Sequence, residues 1–280
     1  MNARSDLRSN ANAYANTNAK ATAGDAPTLL LATHVGKRFD GFTVLSDVSI
    51  ALPARGLTGI VGTNGAGKST LFAIIGGQIA ADEGEIRFDG APVTALAAQR
   101  RASLGIGRTF QVPREFASLS VRENLLVAAH REYGETLRSV FAGSRRVAHE
   151  EAQLGARADE WLQFLNLAAV AHQPASLLSG GQKKLLELGR MLMLEPRCIL
   201  LDEPFAGVNP VLVGEISERI RTLNVERGIA FLVIEHNLRA LKALVRHLYV
   251  MDQGRVIAQG DPEAVLSDPR VHEAYMGGIA

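Results

Sequence analysis

The chain has 280 residues, one Cys, and 30 Lys and Arg against 29 Asp and Glu, so its formal net charge is +1. This composition excludes a nucleic-acid protein with a broad basic face, a disulfide framework and a metal site built from several Cys. No apolar run approaches the ~18–20 residues of a membrane span. We therefore expect a soluble, cytosolic chain of one large or two small domains that reaches a membrane only through a partner.

Residues 1–26 differ in composition from the rest, with eight Ala and five Asn. The large apolar residues in this segment are Met1, Leu7 and Tyr14, and these bury too little surface to offset the entropy lost on ordering. A secretory signal needs a continuous apolar stretch, which is missing here. We predict a disordered tail, with a targeting role as the alternative.

After the tail, the pattern becomes that of an α/β protein. Leu29–Leu31 and Val44–Ile50 are predicted strands, with a turn at Asp40-Gly41 between them. Gly59–Val61 ends a buried strand that enters a glycine-rich loop, and residues 68–76 are predicted to form a helix.

The second half alternates between helical and strand patterns. Residues 118–175 are mostly helical in pattern, with long charged stretches. Arg197–Leu201 and Ala230–Ile234 are compact apolar runs typical of strands buried on both faces. Tyr249–Gln253 and Arg255–Ala258 indicate a hairpin across a glycine. We predict an α/β core interrupted by a helical insertion of roughly 60–80 residues.

The glycine-rich loop matches the phosphate-binding pattern G-x-x-x-x-G-K-[ST] in full, as Gly62-Thr63-Asn64-Gly65-Ala66-Gly67-Lys68-Ser69. Glycines let successive backbone N–H groups point at phosphate oxygens, and the helix that follows presents its positive end. Lys68 is placed to reach the outer phosphates, and the Ser69 hydroxyl is a ligand for Mg²⁺. A glycine-rich turn that binds nothing is the alternative, which the preceding strand and following helix disfavour.

Two acids, Asp202 and Glu203, follow the apolar run that begins at Cys198. The carboxyl ends of parallel strands line the ligand crevice of an α/β sheet. Asp202 is therefore placed to hold Mg²⁺, directly or through water, and Glu203 to orient or activate an attacking water. The alternative is an exposed acidic turn, which the complete phosphate loop disfavours.

A second anion-binding pattern is the string Leu178-Ser179-Gly180-Gly181-Gln182, which opens the helical stretch Lys183–Leu194. Ser and two glycines at a helix start are suited to an anion, although an ordinary helix cap is the alternative. Two such sites in one chain indicate a nucleotide held from two sides.

These motifs, in this order and at these separations, resemble the ATP-binding subunit of ATP-binding-cassette (ABC) transporters. The resemblance rests on the phosphate loop Gly62–Thr70, the signature Leu178–Gln182 and the strand with acids Cys198–Glu203, and it covers about residues 28–280. It implies a P-loop ATPase core, with a mixed sheet and flanking helices, as the body of an ABC domain at 27–280. It also implies a helical subdomain at about 112–190 and the cofactors ATP and Mg²⁺.

The resemblance implies further roles at matching positions. Gln111 is similar to the glutamine that contacts Mg²⁺ and the attacking water and links the core to the helical insertion. His236 is similar to the switch histidine near the γ-phosphate, and Phe39 to the aromatic residue that stacks on adenine, although Phe39 also suits a core. Asn209 stands where the family usually has Asp, so the charge at that position is lost.

Local strings are most similar to branched-chain amino acid import ATPases and their relatives for urea, amides and aromatic acids. They include Gly105–Gln111, Glu123–Val127, Leu186–Arg190, Phe205–Pro210, Val233–Leu238 and Ser267–Val271. The stretch Phe205–Val208 also resembles the ATPase of lipopolysaccharide export. Soluble cassette ATPases acting on DNA or ribosomes, and a catalytically dead regulatory cassette, are further alternatives.

The family arrangement implies the partners. One cassette per chain implies a second cassette, identical or a sister subunit, because each ATP lies between a phosphate loop and a signature of two chains. A separate integral-membrane permease and, indirectly, an extracytoplasmic solute-binding protein are implied, with no nucleic acid. The expected location is the cytoplasmic face of the inner membrane, and Val112–Ser120 is the segment expected to dock on the permease.

Overall fold

The structure, a computed structural model, describes residues 27–109, 115–129 and 144–276. The predicted tail at 1–26, Gln111 and the first part of the predicted docking segment, 112–114, lie outside these ranges. No helix in the described part of the chain combines the length and apolarity needed to cross a bilayer.

The strands are β1 (Thr28–Phe39), β2 (Phe42–Pro53), β3 (Leu57–Gly62), β4 (Glu83–Phe88), β5 (Ala91–Pro92), β6 (Ile106–Arg108), β7 (Cys198–Asp202), β8 (Ala230–Ile234), β9 (His247–Asp252) and β10 (Arg255–Gly260). The helices are α1 (Lys68–Ile75), α2 (Ala98–Ser103), α3 (Val121–Ala128), α4 (Ser144–Phe164), α5 (Gly180–Leu192), α6 (Pro210–Glu226), α7 (Leu238–Leu244), α8 (Pro262–Leu266) and α9 (Pro269–Met276). Short 3₁₀ turns lie at Ala168–Val170 and Ala175–Leu177.

Within the described ranges, the central sheet has six strands in the order β10-β9-β3-β8-β7-β6. Its strands pair in parallel except for β10, which pairs antiparallel with β9. The predicted mixed sheet is thereby confirmed. Because β3, β7 and β8 are parallel, their carboxyl ends meet at one edge, which is where ligands of α/β sheets lie. This edge carries the phosphate loop, the acid pair and His236.

A second, four-stranded antiparallel sheet has the order β2-β1-β4-β5. The predicted turn at Asp40-Gly41 joins β1 to β2, and Phe39 pairs with Phe42 across it. Both strands run for 12 residues, well beyond the short strands predicted from the sequence. The hairpin places Val44 and Leu45 beside the phosphate loop, since a Cβ at Gly67 would lie 2.8 Å from the carbonyl oxygen of Val44 and 2.6 Å from Leu45 Cδ2.

Alternating side chains of the central sheet belong to two hydrophobic clusters, one on each face of the sheet. On β7, Cys198 and Leu200 join the cluster between the two sheets, which also contains Phe72 of α1. Ile199 and Leu201 join the cluster on the opposite face, under α5, α6 and α7. A strand with apolar residues in both sets is buried on both faces, as predicted for the runs at β7 and β8.

The segment between β6 and β7 contains α3, α4 and α5, in agreement with the predicted helical pattern. Ser120 starts α3 with a capping box in which its side chain and that of Glu123 satisfy each other's backbone N–H groups. The buried residues Leu125 and Trp161 lie in the same cluster as the underside of the central sheet. The boundaries of about 112–190 for a helical subdomain stay a prediction.

Candidate active site

The glycine-rich loop between β3 and α1 is shaped by close backbone approaches. A Cβ at Gly62 would lie 2.0 Å from the carbonyl oxygen of Met251. Gly67 has φ of 93° and precedes α1, and a Cβ there would lie 2.6 Å from Leu45 Cδ2. Both positions therefore require glycine, the second for conformation as well as space. The loop presents the first N–H groups of α1, which favour an anion, at the carboxyl edge of the central sheet.

Lys68 begins α1 and turns its ammonium group back onto the loop. Its Nζ donates to the carbonyl oxygens of Gly62 and Thr63, at 2.9 Å each. Burial lowers the pKa of Lys68, while the nearby carboxylates of Glu203 and Asp202 act in the opposite direction. The predicted phosphate-binding lysine is thus a largely desolvated cation that lies beside both predicted acids.

Asp202 is the last residue of β7, and its carboxylate is buried, with one oxygen hydrogen-bonded and the other without a partner among the described residues. Arg108 Nη2 donates to its Oδ2 at 3.3 Å, and its backbone N–H donates to Thr109 Oγ1 at 3.2 Å. Its Oδ1 is buried and has no hydrogen-bond partner among the described residues. Burial raises the pKa of Asp202, and the charge and hydrogen bond of Arg108 oppose that rise.

The oxygen atoms at this edge suit a magnesium ion. Mg²⁺ prefers hard oxygen ligands and usually takes one or two from protein, with phosphate and water oxygens completing the set. Asp202 Oδ1 is such an oxygen without a partner in the described part of the chain. Ser69, the other predicted ligand, is exposed in the first turn of α1. The residues present therefore fit Mg²⁺.

Glu203 and His236 meet across the ends of β7 and β8. His236 Nε2 lies 3.1 Å from Glu203 Oε1. Glu203 has φ of 51°, a left-handed conformation that is uncommon for this residue and costs on the order of 1–3 kcal/mol. Its backbone is held there because its N–H donates to Ile234 O at 2.9 Å and its carbonyl accepts from Lys184 Nζ at 3.3 Å.

The structure adds Glu235, a residue that the sequence analysis did not assign to the site. Its side chain is buried, and Oε1 accepts the N–H of Phe205 at 2.7 Å. Its Oε2 accepts the N–H of His236 at 2.9 Å and that of Asn237 at 3.1 Å. One carboxylate thus ties the segment after Glu203 to the segment that carries His236. The signal available in the sequence was an acid directly before the predicted histidine.

The signature forms the start of α5 as predicted, and Ser179 is its N-cap. The Ser179 hydroxyl accepts the N–H of Gln182 at 3.3 Å, and Gln182 Oε1 accepts the N–H of Ser179 at 2.9 Å. Gly180 is exposed, and a Cβ there would meet nothing within 4 Å. A Cβ at Gly181 would instead lie 1.7 Å from Leu212 Cδ2 on α6. The two glycines thus differ, with one open to solvent and one packed against the core.

Of the remaining predicted nucleotide contacts, Phe39 is described and Gln111 is not. Phe39 is 44% exposed at the end of β1, with Lys37 Nζ 5.2 Å from its ring centroid. The ring therefore lies outside the core, and its stacking on adenine stays a prediction. The roles of Gln111 at Mg²⁺ and at the attacking water also stay predictions. Asn209, in the position usually held by Asp, caps α6 by accepting the N–H of Leu212 at 3.0 Å.

Comparisons with known proteins show the family of the chain. The model of the ABC transporter family matches residues 45–206. A second model, branched-chain amino acid ATP-binding cassette transporter, matches residues 255–280. The chain is 39% identical over 249 residues to the probable branched-chain amino acid transport ATP-binding protein LivG of Archaeoglobus fulgidus, a match that covers 89% of this chain and 95% of that protein.

Two further relatives extend the comparison. The lipopolysaccharide export system ATP-binding protein LptB of Haemophilus influenzae is 34% identical over 250 residues, covering 89% of this chain and 98% of that protein. The crystal structure of an ATP-binding cassette of an ABC transporter in its ADP conformation matches with a TM-score of 0.78 at 39% identity, covering 89% of this chain and 99% of that one. The family model spans more than half of the chain, and these relatives are matched over nearly their whole length. This chain therefore belongs to the ATP-binding subunits of ABC transporters, of the branched-chain amino acid type, and is an ATPase.

Proposed function

We propose that the chain is a motor subunit of an importer for branched-chain amino acids or related small polar solutes such as urea, amides and aromatic acids. The match of residues 255–280 to branched-chain amino acid cassettes supports this, as do the names of several relatives. The observation that carries the hydrolytic part is the 3.1 Å contact between His236 Nε2 and Glu203 Oε1 at the carboxyl edge of the sheet.

In this proposal, the loop Gly62–Thr70 cradles the phosphates of ATP. Lys68 Nζ, which now donates to two loop carbonyls, transfers its hydrogen bonds to the outer phosphates. Ser69 and Asp202 hold Mg²⁺, with Gln111 as a further contact. The ion supplies positive charge that offsets the phosphate oxygens. Phe39, exposed at the end of β1, stacks on adenine.

Glu203 is proposed to orient the attacking water and to accept its proton. Its carboxylate is 17% exposed, which leaves it accessible from the crevice. His236 holds that carboxylate through Nε2 and faces the γ-phosphate, and Gln111 helps to place the water. Phosphoryl transfer depends mainly on such positioning and on charge neutralisation, because little covalent chemistry is left to the protein.

The site needs a second cassette for completion. We propose that the exposed signature residues Ser179 and Gly180 and the half-buried Gln182, with Gly181 behind them, face the ATP held by another cassette, which is either an identical chain or a sister subunit. Closure of such a pair on ATP moves the helical subdomain at about 112–190 within the ABC domain at 27–280. Val112–Ser120 transmits this movement to a permease, so the chain works at the cytoplasmic face of the inner membrane.

A second candidate function is lipopolysaccharide export, favoured by the 34% identity to the export ATPase of Haemophilus influenzae. The two candidates require different membrane partners, and the importer additionally requires an extracytoplasmic solute-binding protein.

Purification of the tagged chain from its native membranes in mild detergent tests the two candidate functions. We expect amino-acid-type permease subunits and a second cassette to copurify. In proteoliposomes, the solute-loaded binding protein should then stimulate ATP hydrolysis. Copurification of lipopolysaccharide-export membrane subunits would contradict the importer.

A further inference from the structure

Arg108 is a nearly buried cation at the predicted metal carboxylate, and neither the phosphate loop nor the signature accounts for it. Its side chain is 12% exposed, and that of Asp202 is 3% exposed. Nη2 donates to Asp202 Oδ2 at 3.3 Å, and Nη1 donates to Gln78 Oε1 at 2.8 Å. Its Nε is buried with no hydrogen-bond partner in the described ranges. The contact with Asp202 is therefore the principal ion pair of this guanidinium.

The fold places this arginine at the carboxyl edge by pairing β6 with β7. Arg108 lies opposite Leu200 in the parallel register, two residues before Asp202. Thr109 fixes the same corner, because its N–H donates to Leu200 O at 3.0 Å and its hydroxyl accepts the Asp202 N–H at 3.2 Å. Gln78 lies just beyond the end of α1, so the guanidinium bridges the phosphate-loop helix and the acid strand.

The ion pair between Arg108 and Asp202 also makes the two oxygens of the carboxylate different. Arg108 engages Oδ2, while Oδ1 is buried and unpartnered among the described residues. A buried carboxylate that lacks a counter-charge is strongly unfavourable. The other described charges that act on Asp202 are Glu203, which is repulsive, and Lys68 and Lys184, which are attractive. Arg108 is the cation that donates a hydrogen bond to the group.

We propose that Arg108 is a positioning residue that serves as the counter-cation of Asp202 when no metal–nucleotide complex is bound. It fixes Oδ2 and leaves Oδ1 open to Mg²⁺, so arginine and metal share one carboxylate. This inference rests on the proposed function, since it takes Asp202 as the carboxylate that faces the metal. Arg108 and Mg²⁺ are two cations at one carboxylate, and the coupling between them is reciprocal. Removal of the arginine charge should therefore increase the gain in nucleotide affinity that Mg²⁺ brings.

The test measures the affinity of the full chain for β,γ-imido-ATP by calorimetry, with Mg²⁺ and with EDTA. The ratio of the two dissociation constants is the magnesium factor. In R108Q we expect this factor to rise about fivefold or more, and in R108K to stay near that of the unchanged protein. R100Q, at an exposed position of α2, is the matched control. D202N should lower the magnesium factor strongly, and R108Q should have no further effect on the factor in that background.

The outcomes separate the inference from the function it rests on. If R108Q weakens binding equally with Mg²⁺ and with EDTA, Arg108 acts only on folding or directly on the nucleotide, and the counter-cation role is overturned while the metal site stands. If D202N keeps the magnesium factor of the unchanged protein, the proposed metal site fails and the inference with it. A thermal melt of nucleotide-free R108Q supplies a second readout. We expect a lower midpoint than for R100Q, with the deficit reduced by Mg²⁺ and nucleotide.

Discussion

His236 Nε2 lies 3.1 Å from Glu203 Oε1, although the two residues are 33 positions apart in the chain. The contact exists because β7 and β8 are parallel neighbours whose ends coincide, with Asp202 opposite Ile234 in the register. Glu235 then fixes the backbone of His236 from below. Acid and histidine therefore form one unit at the edge of the sheet, and variants of either should affect hydrolysis more than nucleotide binding.

Glu203→Gln is expected to lower the ATPase rate by about 100-fold or more, because the amide cannot accept the proton of water. Affinity for ATP should be retained, since the amide is similar in size and removes a negative charge from beside the phosphates. Steady-state ATPase assays and calorimetry provide the two measurements, and gel filtration with ATP should reveal a trapped pair. Glu226→Gln, exposed on α6, is the control. Hydrolysis at the unchanged rate in E203Q would remove Glu203 from the proposed role.

Lys68→Ala should weaken ATP binding by about 10- to 100-fold, because hydrogen bonds from a charged donor contribute roughly 1.5–3 kcal/mol. The same change removes the donor that Gly62 O and Thr63 O now share. A thermal melt must therefore accompany the calorimetry to show that the variant is folded. Lys242→Ala, on an exposed face of α7, should bind ATP normally. Equal affinities in the two variants would count against the phosphate-loop assignment.

Glu235→Gln tests whether the hydrogen bonds from the backbone N–H groups of Phe205, His236 and Asn237 to Glu235 matter for stability and activity. The carboxylate accepts three backbone N–H groups, and an amide brings its own N–H₂ against at least one of them. We expect a loss of about 1–3 kcal/mol in the free energy of unfolding. We also expect kcat to fall with little change in KM, because His236 loses its support. Glu215→Gln, exposed on α6, should change neither quantity. A stable E235Q variant with full kcat would show that the three contacts are dispensable.

Much of the site could be predicted because its signals are local. The phosphate loop is one continuous string, and Asp202 and Glu203 directly follow an apolar strand. Arg108 entered the sequence analysis as part of the string Gly105–Gln111, and nothing local indicates that it pairs with a residue 94 positions away. Glu235 was missed for the same reason, since its contact with Phe205 depends on the neighbouring ends of β7 and β8.

The lengths of β1 and β2 show where the strand pattern fails. His34 and Asp47 have positive φ of 52° and 60°, and the pairing register shifts between Ala32 and Val35. After each irregularity, the residues that faced the core face outward and the others face inward. The alternation of apolar and polar residues that marks a strand in the sequence is therefore interrupted. The apolar runs Leu29–Leu31 and Val44–Ile50 were therefore predicted as short strands, although both strands continue to 12 residues. The turn between them was predicted correctly because Asp40-Gly41 carries a local signal.

The two signature glycines offer a final test of the proposed sharing of ATP between cassettes. Gly180→Ala places a methyl group where nothing lies within 4 Å, so the variant should fold normally and bind ATP through its own phosphate loop. Its ATPase rate should nevertheless fall, because the added methyl meets the ATP held by the partner cassette. Equilibrium unfolding, calorimetry and ATPase assays separate these effects.

Gly181→Ala is the contrasting variant, because its methyl group would lie 1.7 Å from Leu212 Cδ2. Displacement of that side chain should lower the free energy of unfolding by about 1–3 kcal/mol, as overpacking does elsewhere. Loss of activity in G181A would then have a cause within the chain, whereas loss in a fully stable G180A would require a second cassette. Mixing G180A with a Lys68→Ala chain places both defects on one composite ATP site and leaves the other intact. A partial return of ATPase activity on mixing is therefore expected, and its absence would count against ATP sites shared between two cassettes.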